Sequence, residues 1–197
     1  MPGRTNVVAL PCLYCPLKLP VMSHPHPRLT YRQPTTADLP RLFAIYSDPR
    51  TQVFNPAGPF TLVGQAEQLL STWLAHWATH GFGWWAVAEQ GAPEQVIGFG
   101  GVAWHSYLGE QRLNLGYRFA VDAWGRGYAT ELGHAALRHA FGPSGFTHVL
   151  AFVRPDNAAS IEVLEKVGMR PCGVLDDVPG QPPSRLFRAS ARDWPRP

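Results

Sequence analysis

Apolar residues recur at helical spacing from Val63 to His80: Leu69, Leu70, Trp73, Leu74 and Trp77 follow one another at threes and fours. That interval collects them on one face of a 3.6-residue helix. Gly81-Phe82-Gly83 stops it. Leu39 to Tyr46 has the same spacing on a smaller scale, behind N-cap candidates in Thr35-Thr36-Ala37-Asp38, and Leu29 to Arg32 ahead of it reads as a short strand. Asp48 to Thr61 is loop-like, with Asn55-Pro56 and Gly58-Pro59 as turn signals. Past Gly83 the pattern changes to strands: Trp84 to Glu89, Val96 to Trp104, and Arg112 to Val121. Their connections are short, so the three are expected as antiparallel neighbours. Tyr128 to Phe141 returns to a helix, closed by Gly142-Pro143. His148 to Val153 is almost continuously apolar, the mark of a strand buried on both faces. Asp156 or Asn157 caps a helix that runs to Val167 and ends at Gly168, and Arg170 to Leu175 and Arg185 to Ser190 are the last candidate strands. There is no internal repeat and no sign of a second domain.

Composition narrows the class. A chain of 197 residues with 45% hydrophobic residues suits one domain with a sizeable core, and its 16% charged residues fall below the roughly 25% of an ordinary soluble domain. The prolines cluster at the two ends, so residues 1–27 read as a flexible extension and 191–197 as a tail around a domain of residues 28–190. A formal net charge of +3 is too small to argue for direct nucleic-acid binding, yet it is compatible with an acidic ligand. Arg185, Arg188, Arg192 and Arg196 at the end read as a solvated tail. Cys12, Cys15 and Cys172 are too few for a disulfide framework, which points to a reducing, cytoplasmic location. Cys12 and Cys15 lie near His24 and His26, but no second cysteine pair completes a zinc pattern, so no metal is expected. Pro11, Pro16, Lys18 and Pro20 break the apolar stretch Val7 to Met22, leaving neither a signal peptide nor a membrane span; Met22 is itself an alternative start.

The chemistry concentrates in Trp124-Gly125-Arg126-Gly127-Tyr128-Ala129-Thr130, between a strand-like and a helix-like run. A strand, a glycine turn and a helix start leave several backbone N–H groups directed at one spot, and the helix dipole adds positive potential there. Gly125 and Gly127 let a ligand approach the backbone without a Cβ in the way. The stretch has neither the Gly-Lys-Ser/Thr ending of an ATP-type phosphate loop nor the three-glycine dinucleotide fingerprint, so a pyrophosphate carried by another molecule is the expected anion.

These residues, in this order, resemble the GNAT family of acetyl-CoA-dependent N-acetyltransferases, and within it the RimJ/RimL-type branch that acetylates the N-terminal alanine of ribosomal proteins. The family's phosphate turn, Q/R-x-x-G-x-G/A, matches Trp124 to Ala129, with Trp124 in place of the Gln or Arg. Asn157-Ala158-Ala159-Ser160-Ile161-Glu162-Val163-Leu164-Glu165-Lys166-Val167-Gly168-Met169 resembles the branch's N-x-x-S-x-x-V-L-E-K-x-G-F/M, and Leu115-Gly116-Tyr117 resembles the short motif on its fourth strand. The resemblance spans about residues 28 to 190.

It implies an α+β (mixed α/β) fold: a mostly antiparallel sheet of six to seven strands flanked by helices. It implies acetyl-CoA as cosubstrate and a primary amine as the accepting partner, with direct transfer in a ternary complex. The cofactor would be held by Phe119, Val121, Gly125, Arg126, Gly127, Tyr128, Ala129, Thr130, Asn157 and Ser160, the pantetheine arm lying between Leu115–Phe119 and Ala151–Val153. Asn157 is equally a plain N-cap. Many relatives carry a tyrosine as acid where this chain has Leu164; in this branch Ser160 takes the role. Relatives often place a glutamate base where Asn114 stands, which leaves His105, Glu110, Tyr117 or no side-chain base at all. Asp48 to Phe60 (Phe54 among them), Trp84, Trp85, Trp104, Asn114 and the loop Asp176 to Pro183 are expected around the amine, although the tryptophans are equally core residues. A homodimer is among the expectations, since the final strands and helices of this fold often pair with a second subunit. Loss of the family's glutamate and tyrosine keeps a second reading open, an acyl-CoA-binding sensor module without turnover.

Overall fold

The computed structural model describes residues 27–107 and 109–194. The expectations for the N-terminal extension, the Cys12/Cys15/His24/His26 group and the stretch Val7 to Met22 lie outside these residues. Seven strands and four α-helices follow in the order β1 (Leu29–Arg32), α1 (Leu39–Ser47), α2 (Val63–His80), β2 (Trp84–Glu89), β3 (Ala92–Tyr107), β4 (Glu110–Phe119), α3 (Tyr128–Phe141), β5 (His148–Val153), α4 (Ala158–Lys166), β6 (Arg170–Leu175) and β7 (Ser184–Ser190). They form one sheet in the order β1-β2-β3-β4-β5-β7-β6. Every pairing is antiparallel except β4 with β5.

Helices cover both faces because both faces carry apolar stripes. Leu42, Ile45 and Tyr46 of α1 and Ala66, Leu70 and Trp73 of α2 pack on Ala86, Val96 and Phe99. On the opposite face Leu132, Ala136, Leu137 and Ala140 of α3 and Leu164 of α4 pack on Trp85, Val87, Val102, Leu113, Leu115, Val149, Ala151 and Phe187. α3 and α4 meet closely at Gly133, where a Cβ would stand 2.8 Å from Val167 Cγ1.

Four local expectations are corrected. β3 runs from Ala92 to Tyr107, beyond both ends of the expected Val96 to Trp104, because the polar residues His105 and Ser106 keep their hairpin partners Arg112 and Gln111. β4 stops at Phe119, and Val121 lies in a short 3-10 turn, Val121–Ala123, that steers the chain toward α3. β5 is not buried on both faces. Val149, Ala151 and Val153 are buried, whereas Leu150 and Phe152 are only half-buried, because α1 and α2 pack on the β2–β3 half of that face. The loop Asp48 to Thr61 contains a 3-10 turn, Pro49–Gln52, started by Asp48 accepting from the Arg50 N–H at 3.0 Å. The packed unit also runs past Ser190: Trp194 is buried against Phe141, and its indole N–H donates to the Val167 carbonyl at 2.9 Å.

Candidate active site

The glycine turn opens α3. Gly125 and Gly127 have φ of 71° and 77°, in the left-handed region that side chains resist. Open space surrounds a Cβ built on Gly125, and one on Gly127 would meet nothing closer than Arg28 Nη2 at 3.6 Å. Glycine is therefore required here by backbone conformation, not by crowding. Among the described residues no backbone N–H from Gly125 to Thr130 has a hydrogen-bond acceptor; the first bonded one is Glu131 N, to the Gly127 carbonyl at 3.1 Å. A run of free donors at the positive end of a 14-residue helix is what a pyrophosphate needs.

The turn is braced from several sides. The Trp124 indole donates to the Phe119 carbonyl at 3.0 Å and Arg28 Nη1 to the Arg126 carbonyl at 3.0 Å. Glu131 accepts from the backbone N–H of Arg28 and Leu29 at 2.7 and 3.0 Å, tying α3 to β1. Arg126 makes a two-pronged pair with Glu89 at 2.6 and 3.0 Å and lies over the Tyr128 ring at 4.7 Å. Its guanidinium is thus engaged with β2. Tyr128 is buried, while Ala129 and Thr130 are half-buried on the first turn.

Behind the turn the sheet splits. β4 and β5 share a single register pair, Asn114 with Leu150; beyond it Leu115–Phe119 and Ala151–Val153 have no pairing with each other. Buried Phe119 and half-buried Val121 stand at the end of the split nearest the turn. Gly100 lets Tyr117 pack directly on β3, where a Cβ on Gly100 would stand 2.7 Å from Tyr117 Cβ. Tyr117 Oη is buried without a hydrogen-bond partner. Burial pushes its phenol up to about 12, and the Ser160 side chain is the polar neighbour that draws it back down. A phenol that stays protonated is no base, so Tyr117 is unsuited to take the amine's proton. Ser160 sits half-buried in the first turn of α4, its backbone N–H donating to Asn157 Oδ1 at 3.1 Å. Asn157 is therefore the N-cap of α4.

The other face of the split carries a second group. Tyr107 Oη donates to Asn114 Oδ1 at 2.6 Å, fixing the buried amide where relatives often place a carboxylate. His105 packs its ring on Phe152 at 5.1 Å and on Tyr107 at 5.4 Å. The rings shield one side of an otherwise exposed imidazole; this partial desolvation lowers its pKa and Asp177 works the other way. Trp84 stacks on Trp73 at 4.9 Å and lies over Gly116, whose Cβ would meet Trp84 Cζ2 at 2.5 Å. Glu110 is exposed and pairs with Arg112. A cavity of about 250 Å³ opens between Phe54 in the α1–α2 connection, Arg154 and Asp156 after β5, and Gln181 in the β6–β7 connection. Arg154 bonds Asp177 at 3.4 Å, Ser184 at 3.2 Å and the Pro182 carbonyl at 2.6 Å, so Asp177 already has a cation.

The structure brings Trp84 and Asn114 together on one face of β4 and leaves Tyr117 on the other. Trp104 is not with the former group. It packs in the α3 layer against Phe146 at 5.7 Å, because a strand alternates and Trp104 pairs with Leu113 of that layer. Trp85 is likewise core, against Tyr31 and His139. Sequence reasoning missed Tyr107 and Arg154. Alternation with His105 along an extended β3 was a signal for Tyr107; nothing in the local pattern singles out Arg154.

Among the described residues no group of three or more His, Cys, Asp or Glu is placed to hold a metal ion, and no helix is long and apolar enough to cross a membrane. The family profile of the acetyltransferase (GNAT) domain matches residues 28–170, across the helix start and the split mixed sheet described above. The chain belongs to this family. GNAT acetyltransferases use acetyl-CoA. Among its relatives is the uncharacterized protein YkkB of Bacillus subtilis, 35% identical over 83 residues; that match covers 42% of this chain and about half, 48%, of YkkB. The uncharacterized N-acetyltransferase YoaA of the same organism is 26% identical over 149 residues, 75% of this chain and 82% of YoaA. RimJ of Mycobacterium smegmatis, solved in complex with CoA-disulfide, shares the fold with a TM-score of 0.68 over 85% of this chain and 84% of that one, at 23% identity.

Proposed function

We propose that the protein is an acetyl-CoA-dependent N-acetyltransferase that acetylates a primary amine by direct transfer, with an α-amine, as at a protein N-terminus, as the preferred acceptor. The observation that carries this is the run of free N–H groups from Gly125 to Thr130 beside the split between β4 and β5. When bound, acetyl-CoA supplies an activated acetyl thioester. The turn's backbone donors hold its pyrophosphate, with the Thr130 hydroxyl beside them. Backbone groups of Leu115–Phe119 and Ala151–Val153, unpaired with each other, receive the pantetheine arm. Ser160, on the α4 side of the split, supplies a hydroxyl donor for the leaving sulfur.

On the amine side no carboxylate stands at Asn114, and its amide oxygen is already taken by Tyr107. Neutral His105 is the group able to accept a proton there. The demand on it is small for an α-amine, whose ordinary pKa of about 7.7–8.0 leaves a fair fraction neutral; a lysine, near 10.4, demands much more. Positioning then does much of the work.

The sensor reading has one observation in its favour: Leu164 and Asn114, where relatives often carry acid and base, are both built into the packing. Thiol release from acetyl-CoA by the full chain separates the two. The panel holds peptides beginning Ala, Ser and Met, free amino acids, polyamines and aminoglycosides. Turnover fastest with an α-amine is the expected result. Turnover only with polyamines or aminoglycosides overturns the acceptor class, and CoA binding without turnover on any amine overturns the enzyme.

A further inference from the structure

The face of the sheet that carries α1 and α2 is covered on one half. These helices pack on Ala86, Val96 and Phe99 of β2 and β3, and among the described residues no helix packs on that face of β5, β7 and β6. Four residues lie side by side there in paired register: Asn114 of β4, Leu150 of β5, Arg188 of β7 and Arg170 of β6. Their strand neighbours Leu113, Val149, Phe187 and Met169 point into the opposite core, so alternation sets all four on the open side. The row runs from the amine side of the candidate active site to the edge strand. Leu150 is half-buried and both arginines are exposed. Arg188 is thus a sheet residue, not part of a solvated tail. Like charges directly opposite each other on a sheet repel. Among the described residues neither guanidinium has a carboxylate partner, and β5, β6 and β7 contain no acidic residue at all. The pair therefore adds nothing to the fold by charge, and its charges are open to a partner.

We propose that Arg188 and Arg170 select the acceptor: they bind acidic side chains a few residues downstream of the α-amine in the polypeptide being acetylated. This rests on the reading of the acceptor as a protein N-terminus. Neighbouring strands lie about 4.8 Å apart, which puts Arg188 about 10 Å and Arg170 about 14 Å from Asn114 along the row. An extended peptide gains about 3.3 Å per residue, so a chain with its first residue at Asn114 brings its fourth to sixth residues over the two arginines. A guanidinium pairs a carboxylate with two parallel hydrogen bonds, and Leu150 between Asn114 and Arg188 offers an apolar contact to the residues before them. A second copy of the chain carries the same positive excess on this face, so charge complementarity points away from self-pairing.

Acetylation kinetics of the full chain on three peptides test this. All begin Ala-Ser-Ser, and their fourth to sixth residues are aspartates, asparagines or lysines. At low ionic strength the aspartate peptide is expected to have a kcat/KM about tenfold above that of the asparagine peptide, carried by KM, with the lysine peptide the poorest. The preference is expected to vanish at about 1 M salt, where the Debye length is about 3 Å. Arg170→Gln combined with Arg188→Gln is expected to bring the aspartate peptide down to the asparagine peptide's value. Lys166→Gln, which removes a positive charge from α4 on the opposite face, is expected to keep the preference. Equal kcat/KM for the aspartate and asparagine peptides, or a preference that survives in the double variant, overturns the proposal while the acetyltransferase reading stands. So does a short RNA oligonucleotide that inhibits the native protein with every peptide but not the double variant, because the row then takes phosphate. A native protein that acetylates none of the peptides overturns both the proposal and the N-terminal acceptor.

Discussion

Replacing Gly127 by alanine tests the phosphate turn where it is most exposed to refutation. The residue sits at φ 77°, and its Cβ would find its nearest neighbour at 3.6 Å, an ordinary contact. The cost is therefore conformational alone, about 1–2 kcal/mol for a side chain held in the left-handed region. That energy has two places to go. If the turn keeps its shape, folding stability drops by about 1–2 kcal/mol and CoA affinity is unchanged. If the turn relaxes to escape the strain, stability is kept, but the donors from Gly125 to Thr130 no longer converge and CoA must restore the turn; Kd then rises by about 5- to 30-fold. The two losses share one total. Gly133→Ala is the control, because its backbone is ordinary helix and its Cβ would strike Val167 Cγ1 at 2.8 Å. It is expected to lower stability by about 1–3 kcal/mol, less whatever alanine gains in a helix, while leaving the CoA Kd alone. Calorimetric Kd and denaturant unfolding on the three proteins supply both numbers. Gly127→Ala with native stability and native Kd would refute the argument, as would a Gly133→Ala that weakens CoA more than Gly127→Ala does.

Tyr107→Phe leaves the buried Asn114 oxygen without its 2.6 Å donor, and a loss of about 1–3 kcal/mol is expected in denaturant unfolding. Trp194→Ala removes a buried ring and the bond to Val167 and is expected to cost about 3–5 kcal/mol, seen as a large fall in Tm; a negligible change would mean that the C-terminal residues are not part of the packed unit. His76 accepts from Trp104 N at 3.0 Å through Nε2 and bonds the Phe82 carbonyl at 2.8 Å through Nδ1, which only the neutral ring does together. Burial lowers its folded-state pKa, so the unfolded chain binds the proton more readily. Its contribution is full above the unfolded value near 6.5 and declines as pH falls through the folded value. Unfolding free energy measured from pH 8 to 5 should therefore fall more steeply for the native protein than for His76→Gln, and equal slopes would sink the assignment.

Local pattern alone placed most elements. The helix at Val63–His80 was legible because Leu70, Trp73 and their neighbours repeat at its own period, and the start of α3 because two glycines separate a strand pattern from a helix pattern. Those signals are short-range, set by backbone sterics and by which side chains share a face. The glycine turn was legible for the same reason: strand, turn and helix lie within one stretch of chain. Asn157 was readable as a cap from its place before an apolar run.

What tertiary structure alone decided involves chain neighbours far apart. Strand alternation could be read, but which face of β3 looks toward α3 was set by pairing with β4, and this sends Trp104 into the core and His105 to the other side. Arg126, expected among the cofactor-binding residues, is paired with Glu89, 37 positions away. The bond of Tyr107 to Asn114 follows from the β3–β4 hairpin continuing past Trp104. No short window of sequence contains the Arg126–Glu89 pair or settles which face of β3 meets α3. Both arise when the apolar faces of separate elements are buried against one core, and the polar groups carried with them take whatever partners that packing brings within reach.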